Sequence, residues 1–146
     1  ARKFEDILMI KENLKLKGDV TLTLTDKNGK LKDKKEIKNL VVNAGLSFIT
    51  SRMLGTSKAV MSHMALGSGS SAANANDTAL GSQVGSREAL DSASETSTGV
   101  ITFASTFEPG DATGALTEAG IFNASSGGDM LCRTVFSTVT KASTII

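Results

Sequence analysis

The chain has one cysteine, one proline and one histidine among 146 residues, and neither tryptophan nor tyrosine. The lone Cys132 excludes an intrachain disulfide. With His63 as its only imidazole, 69 positions away, it also excludes a structural zinc set. A histidine-based triad has no support, because no G-x-S-x-G elbow lies between strand and helix patterns; Gly67-Ser68-Gly69 has the wrong spacing. No Walker lysine follows any glycine pair. Long apolar runs are missing too: Ile7–Ile10, "ILMI", is far too short to span a bilayer, and no secretory leader pattern precedes it. Six phenylalanines carry all the aromatic content, so the chain has few large anchors for a core.

Small side chains take their place: 17 Ser, 16 Thr and 14 Gly. A single domain with so few anchors is expected to draw part of its stability from neighbours, as assembly subunits do. Net charge is +1, but unevenly spread. Residues 1–54 carry 12 basic and 7 acidic groups, and residues 55–146 carry 4 and 8. That split suits contact with another charged surface.

Periodicity predicts a mainly β domain, an antiparallel sandwich or barrel-like fold with one short helix and an N-terminal arm. Residues 1–13 form the arm, with Phe4, Ile7 and Leu8 on one helical face, too short to be stable undocked. Residues 14–42 read as a Lys-rich hairpin. Val20, Leu22 and Leu24 alternate with threonines, Asn28-Gly29 makes a two-residue turn with both positions at positive φ, and the lysines guard a sheet edge. Asn43 is expected to cap a helix over 44–54, with Leu46, Ile49 and Met53 inward and Gly55 ending it. Within 62–146, strands are predicted at Ser62–Leu66, Val84–Ser92, Gly99–Phe107, Ala115–Asn123, Met130–Thr138 and Ala142–Ile146, with a small-residue loop over 67–81. The closing "STII" reads as a strand edge or as a chain that continues.

"ALGSGSSAA" (Ala65–Ala73) matches G-x-G-x-x-A through Gly67, Gly69 and Ala72. A dinucleotide site also needs a helix opening there, and "SSAANANDTALG" has no apolar stripe to form one. The glycines therefore read as a strand exit, and their replacement by alanine is expected to impair folding or assembly. "ALGSQVGS" at 79–86 echoes the first stretch, as a second strand-end turn. "DKNGK" begins like a calcium loop, but Gly29 is fourth and Ile37 twelfth, where Gly is needed sixth and Glu twelfth. Asp77, Asp111 and Asp129 match no established cation spacing. No metal or cofactor is expected. Cys132 reads as buried and inert. Glu118, within an apolar strand, is a candidate structural ion pair with Arg87 or Arg133, the latter favoured; no second carboxylate gives it an acid–base role. Lys27, Lys30, Lys32, Lys34, Lys35 and Lys38 lack the arginines and rings of base readout, so they offer nucleic acid only salt-sensitive contact.

The ordered set "KNLVVNAGLSFITSRM", "MSHMALGSGSSAANANDTALGSQVGSR", "ITFASTF" and "GALTEAGIFNASSGGDMLCRTVF" resembles a group of virion structural proteins of tailed bacteriophages, described as head-fibre, decoration or tail-fibre-like. The resemblance covers about residues 36–146 and rests on turn and strand motifs. It implies a non-enzymatic β module made in the bacterial host cytoplasm and displayed on the virion in several copies. A capsid decoration or cement subunit, trimeric like many of that group, is the leading expectation. An anchoring domain of a tail or collar fibre is the alternative, and a nucleic-acid binder the third. On this reading Phe4, Ile7, Leu8, Lys30, Lys32, Lys34, Lys35 and Lys38 are candidate capsid or partner contacts. Gly67, Gly69, Asn74, Asn76 and Asp77 form a candidate inter-subunit loop, and Glu118–Arg133 a structural pair. No small-molecule substrate or membrane enters.

Overall fold

Alternation of β-branched and small residues builds most of the molecule. The computed structural model describes residues 16–142; the arm with Phe4, Ile7 and Leu8 lies outside them. Eight strands and one helix follow in order: β1 (Gly18–Thr25), β2 (Leu31–Val41), α1 (Asn43–Met53), β3 (His63–Gly67), β4 (Glu88–Ala89), β5 (Ser92–Ser97), β6 (Val100–Ala104), β7 (Gly114–Phe122) and β8 (Met130–Lys141). Six strands form one antiparallel sheet ordered β1-β2-β8-β7-β3-β4, and β5-β6 form a separate two-stranded ribbon. The large sheet curls into a half-barrel. The fold is thus the barrel-like form of the expected architecture, with one sheet bending on itself.

Val20, Leu22 and Leu24 face inward and Thr21, Thr23 and Thr25 outward, as the period of two requires. The turn after β1 differs from the expected one. Only Gly29 has positive φ, at 78°. Gly29 N–H donates to the Asp26 carbonyl, and Asp26 N–H to the Lys30 carbonyl, at 3.0 and 2.9 Å. This is a three-residue loop with a bulge glycine. The Asp26 carboxylate takes over the local ordering, accepting from the backbone N–H groups of Asn28 and Lys30.

The helix starts at the residue expected to cap it, one residue earlier than expected. Val42 is the N-cap, without a side-chain bond, and Asn43 is already helical. Asn43 turns outward instead: its N–H donates to the Ala75 carbonyl, and its amide donates to Asn76 Oδ1 at 3.0 Å. The inward face is Gly45 and Phe48, not the Leu46–Ile49–Met53 stripe; Met53 is 78% exposed. Gly45 sets this rotation, because a Cβ there would stand 2.1 Å from the Leu131 carbonyl oxygen. The helix lies directly on β8 through that gap.

Two strand assignments shift. The expected strand at 84–92 shrinks to Glu88–Ala89, and Ser92–Ser97 forms β5 without any apolar alternation to announce it. The expected strand Gly99–Phe107 ends at Ala104, and Phe107 instead packs on the core from the following loop. β8 runs to Lys141, so Ala142 lies beyond any strand, and residues 143–146 fall outside the described range.

The core has two parts. Leu66, Ala112, Leu116, Phe136 and Val139 form one cluster, and Val42, Ala65, Phe122 and Met130 the other. β7 and β8 supply both. With β3 they lie in the interior of the sheet, and β3 and β8 bury consecutive residues, Ala65–Gly67 and Cys132–Thr134.

Candidate functional site

A buried ion pair organises the long small-residue loop. Glu118 on β7 is 0% exposed, and Arg133 on the adjacent β8 is 3% exposed. Arg133 Nε donates to Glu118 Oε2 at 2.9 Å. The other lone pairs of the carboxylate are filled by main chain. Gly69 and Ser82 N–H donate to Oε1 at 2.8 and 2.7 Å, and Gly81 N–H donates to Oε2 at 2.9 Å. The rest of the guanidinium reaches into the loop. Nη1 meets Asp77 Oδ2 at 2.9 Å, and Nη2 donates to the Ser71 carbonyl at 3.1 Å.

The two echoing stretches therefore converge on one carboxylate. "ALGSGSS" brings Gly69 and "ALGSQVGS" brings Gly81 and Ser82. They run side by side, with Ser68 N–H on the Ser82 carbonyl and Val84 N–H on the Leu66 carbonyl. This explains the glycine spacing that imitates a dinucleotide motif. Neither Gly67 nor Gly69 has positive φ. What they need is closeness: a Cβ on either would lie 2.5 Å from Glu118 Oε1. The backbone amides here wrap the protein's own carboxylate, in place of a phosphate.

Burial alone pushes the Glu118 carboxyl up, but the three amide donors and Arg133 outweigh it and hold it below its ordinary value. Asp77 is likewise lowered, first by the Asn74 N–H and also by Arg133. Arg133 is raised, since its two carboxylates outweigh its burial. The site is thus a permanently charged clamp, with no group poised to exchange protons near neutrality.

The other candidates fall elsewhere. Asn74, Asn76 and Asp77 cap one another within the loop and tie it to α1 through Asn43. Arg87 stays clear of Glu118. Its guanidinium stacks 3.5 Å from the Phe122 ring centre and donates to the Ala124 and Gly127 carbonyls, bracing the turn before β8. Sequence reasoning missed that role, for which the Gly-Gly turn at 127–128 was the only signal. Cys132 is buried, and burial pushes its thiol up to about 11. His63 Nδ1 pairs with Ser62 Oγ at 2.8 Å.

The lysines do not form one patch. Lys32, Lys34 and Lys38 occupy exposed positions of β2, whereas Lys35 is half-buried on the opposite face beside Asp33. Lys30 lies in the turn. On the outer face Lys34 contacts Glu36, and Lys38 is registered opposite Asp19. The acidic neighbours dilute any field for a polyanion.

The concave side of the half-barrel holds a recess of about 1550 Å³. Leu22 and Leu24 of β1, Phe103 of β6, Ile121 of β7 and Leu131 of β8 line it. Among the described residues, no group of three His, Cys, Asp or Glu side chains is disposed to hold a metal, and no helix is long and apolar enough to cross a membrane. Comparison with known proteins adds no relative: no family model, curated protein or solved structure matches the chain.

Proposed function

We propose that this chain is a non-enzymatic structural subunit of a tailed-phage virion, a decoration or cement protein that binds the capsid surface in several copies, as a trimer. The observation that carries the reading is the open concave face. A sheet that stops at half a barrel leaves an apolar recess of about 1550 Å³, beyond the roughly 300–1000 Å³ of small-molecule sites. Protein surface, not a metabolite, suits a recess of that size. The charged clamp supports the same role, since it fixes a long loop rigidly without any proton-exchanging group.

Capsids lacking the protein, incubated with purified chain, test this directly. Binding with a raised capsid disruption temperature is the expected outcome. Absence of capsid binding refutes the proposal, and label found on tails or collars redirects it to a fibre anchor.

A further inference from the structure

Two hairpins carry exposed aliphatic side chains among the described residues. The first is the β5-β6 ribbon. Every residue of β5 is exposed, and so are Val100 (50%) and Ile101 (61%) on β6. Ile101 is registered against Glu95, so an exposed aliphatic and a carboxylate share one face of the ribbon. Asp91 and Glu108 flank its base, and no lysine or arginine occurs from residue 88 to 132, although Lys141 reaches the Glu108 and Asp111 carbonyls from β8. The second is the β1-β2 tip. Leu31 is 53% exposed there, between Lys30 and Lys32 and close to Lys27 in the turn. Each hairpin has an exposed aliphatic residue among charges: three lysines against Asp26 and Asp33 at the β1-β2 tip, and Glu95 on the ribbon with Asp91 and Glu108 beyond its base, so the net signs are opposite.

Among the described residues no ion pair joins the two hairpins. An isolated two-stranded ribbon is marginal in water, and among the described residues Val100 and Ile101 remain half or more exposed. From this juxtaposition we infer that the partner of the β5-β6 ribbon is a second copy of this chain. The acidic ribbon of one copy seats Ile101 against Leu31 of the next, and Glu95, Asp91 and Glu108 face that copy's Lys27, Lys30 and Lys32. The two surfaces differ, so the contact is head-to-tail. It closes a ring when the rotation permits, and otherwise propagates. The inference deepens the reading as a multi-copy subunit by naming the surface that joins the copies.

Sedimentation velocity of the purified chain, without capsids, tests it. The wild type is expected to form an oligomer that weakens as salt rises. Ile101→Ser and Leu31→Ser remove exposed groups and leave the core intact. Each should keep the wild-type circular dichroism and raise the dissociation constant about tenfold or more. Lys30→Glu/Lys32→Glu should dissociate the oligomer, as should Asp91→Lys/Glu108→Lys. Combining the four changes in one chain should restore it. Glu95→Gln keeps the acceptor that Gly99 N–H uses and serves as the fold-safe neutral variant; weaker assembly is expected. A monomeric wild type overturns the inference, as does an oligomer indifferent to these changes. A monomer that still binds capsids overturns only this inference, whereas an oligomer that ignores capsids overturns only the virion role.

Discussion

Glu118 accepts four hydrogen bonds on two oxygens, three of them from main-chain amides of the long small-residue loop. Glu118→Gln turns one acceptor into a donor facing donors and leaves the buried Arg133 with Asp77 as its remaining carboxylate. The expected loss is about 3–5 kcal/mol, the usual cost of breaking a buried pair from one side, read by urea denaturation. Swapping both partners for apolar residues, Glu118→Leu with Arg133→Met, is often benign for an isolated buried pair. Here it should not rescue, because three amides remain orphaned. The pH response follows from the same charges. The Glu118 and Asp77 carboxyls are held below their ordinary 4.5 and 3.8. Their contribution is full above those values and is lost as pH falls through the lowered folded-state ones. Acid titration should therefore expose the loop 67–85 to protease below about pH 4, before the sheet unfolds. Cys132 acts at the other end. Its raised thiol favours the fold up to pH 9.0 and loses that contribution as pH approaches about 11. The pairing of Glu118 with Arg133 was legible from a carboxylate in an apolar strand and a base in the next. The amide cradle was not, since main-chain donors leave no residue-type signature.

At the scale of elements, strong periodicity was readable and tertiary contact was not. β1, β7 and β8 announce themselves by alternation. β5 has none: "SASETS" forms a strand only because β6 returns against it through Gly99, whose φ is 77°. The helix illustrates a different failure. Its pattern favours Leu46, Ile49 and Met53, yet contact with β8 rotates Gly45 and Phe48 inward. Gly45 is the deciding residue, since the Leu131 carbonyl occupies the space of a side chain. Alanine there gains about 1 kcal/mol in helix propensity, but a methyl 2.1 Å from a backbone oxygen forces α1 off the sheet. Overpacking of that kind costs about 1–3 kcal/mol. Net destabilisation is therefore expected for Gly45→Ala, with a lower thermal midpoint. A stabilised variant would mean that α1 is free to lift from β8.

For the molecule as a whole, the shortage of large side chains and the half-closed sheet are the same fact. Of the six phenylalanines in the sequence, Phe122, Phe136 and Phe48 are buried, and the concave face is left as surface. Composition made the scarcity of large core side chains legible. Which face would be open was not, because curling depends on register, and β2 joins β8 through only Leu40–Arg133 and Val41–Cys132. A fold of this kind should gain stability from its own concentration. Association that fills sites to a hundred times the dissociation constant adds about 2.7 kcal/mol. For a chain of this length that is a rise of roughly 5–10 °C in thermal midpoint. Calorimetry over a hundredfold range of protein concentration should show the midpoint climbing, with the slope falling at high salt as the charged rims are screened. A midpoint independent of concentration would mean that the half-barrel is self-sufficient and that its open face awaits a different partner, the capsid itself.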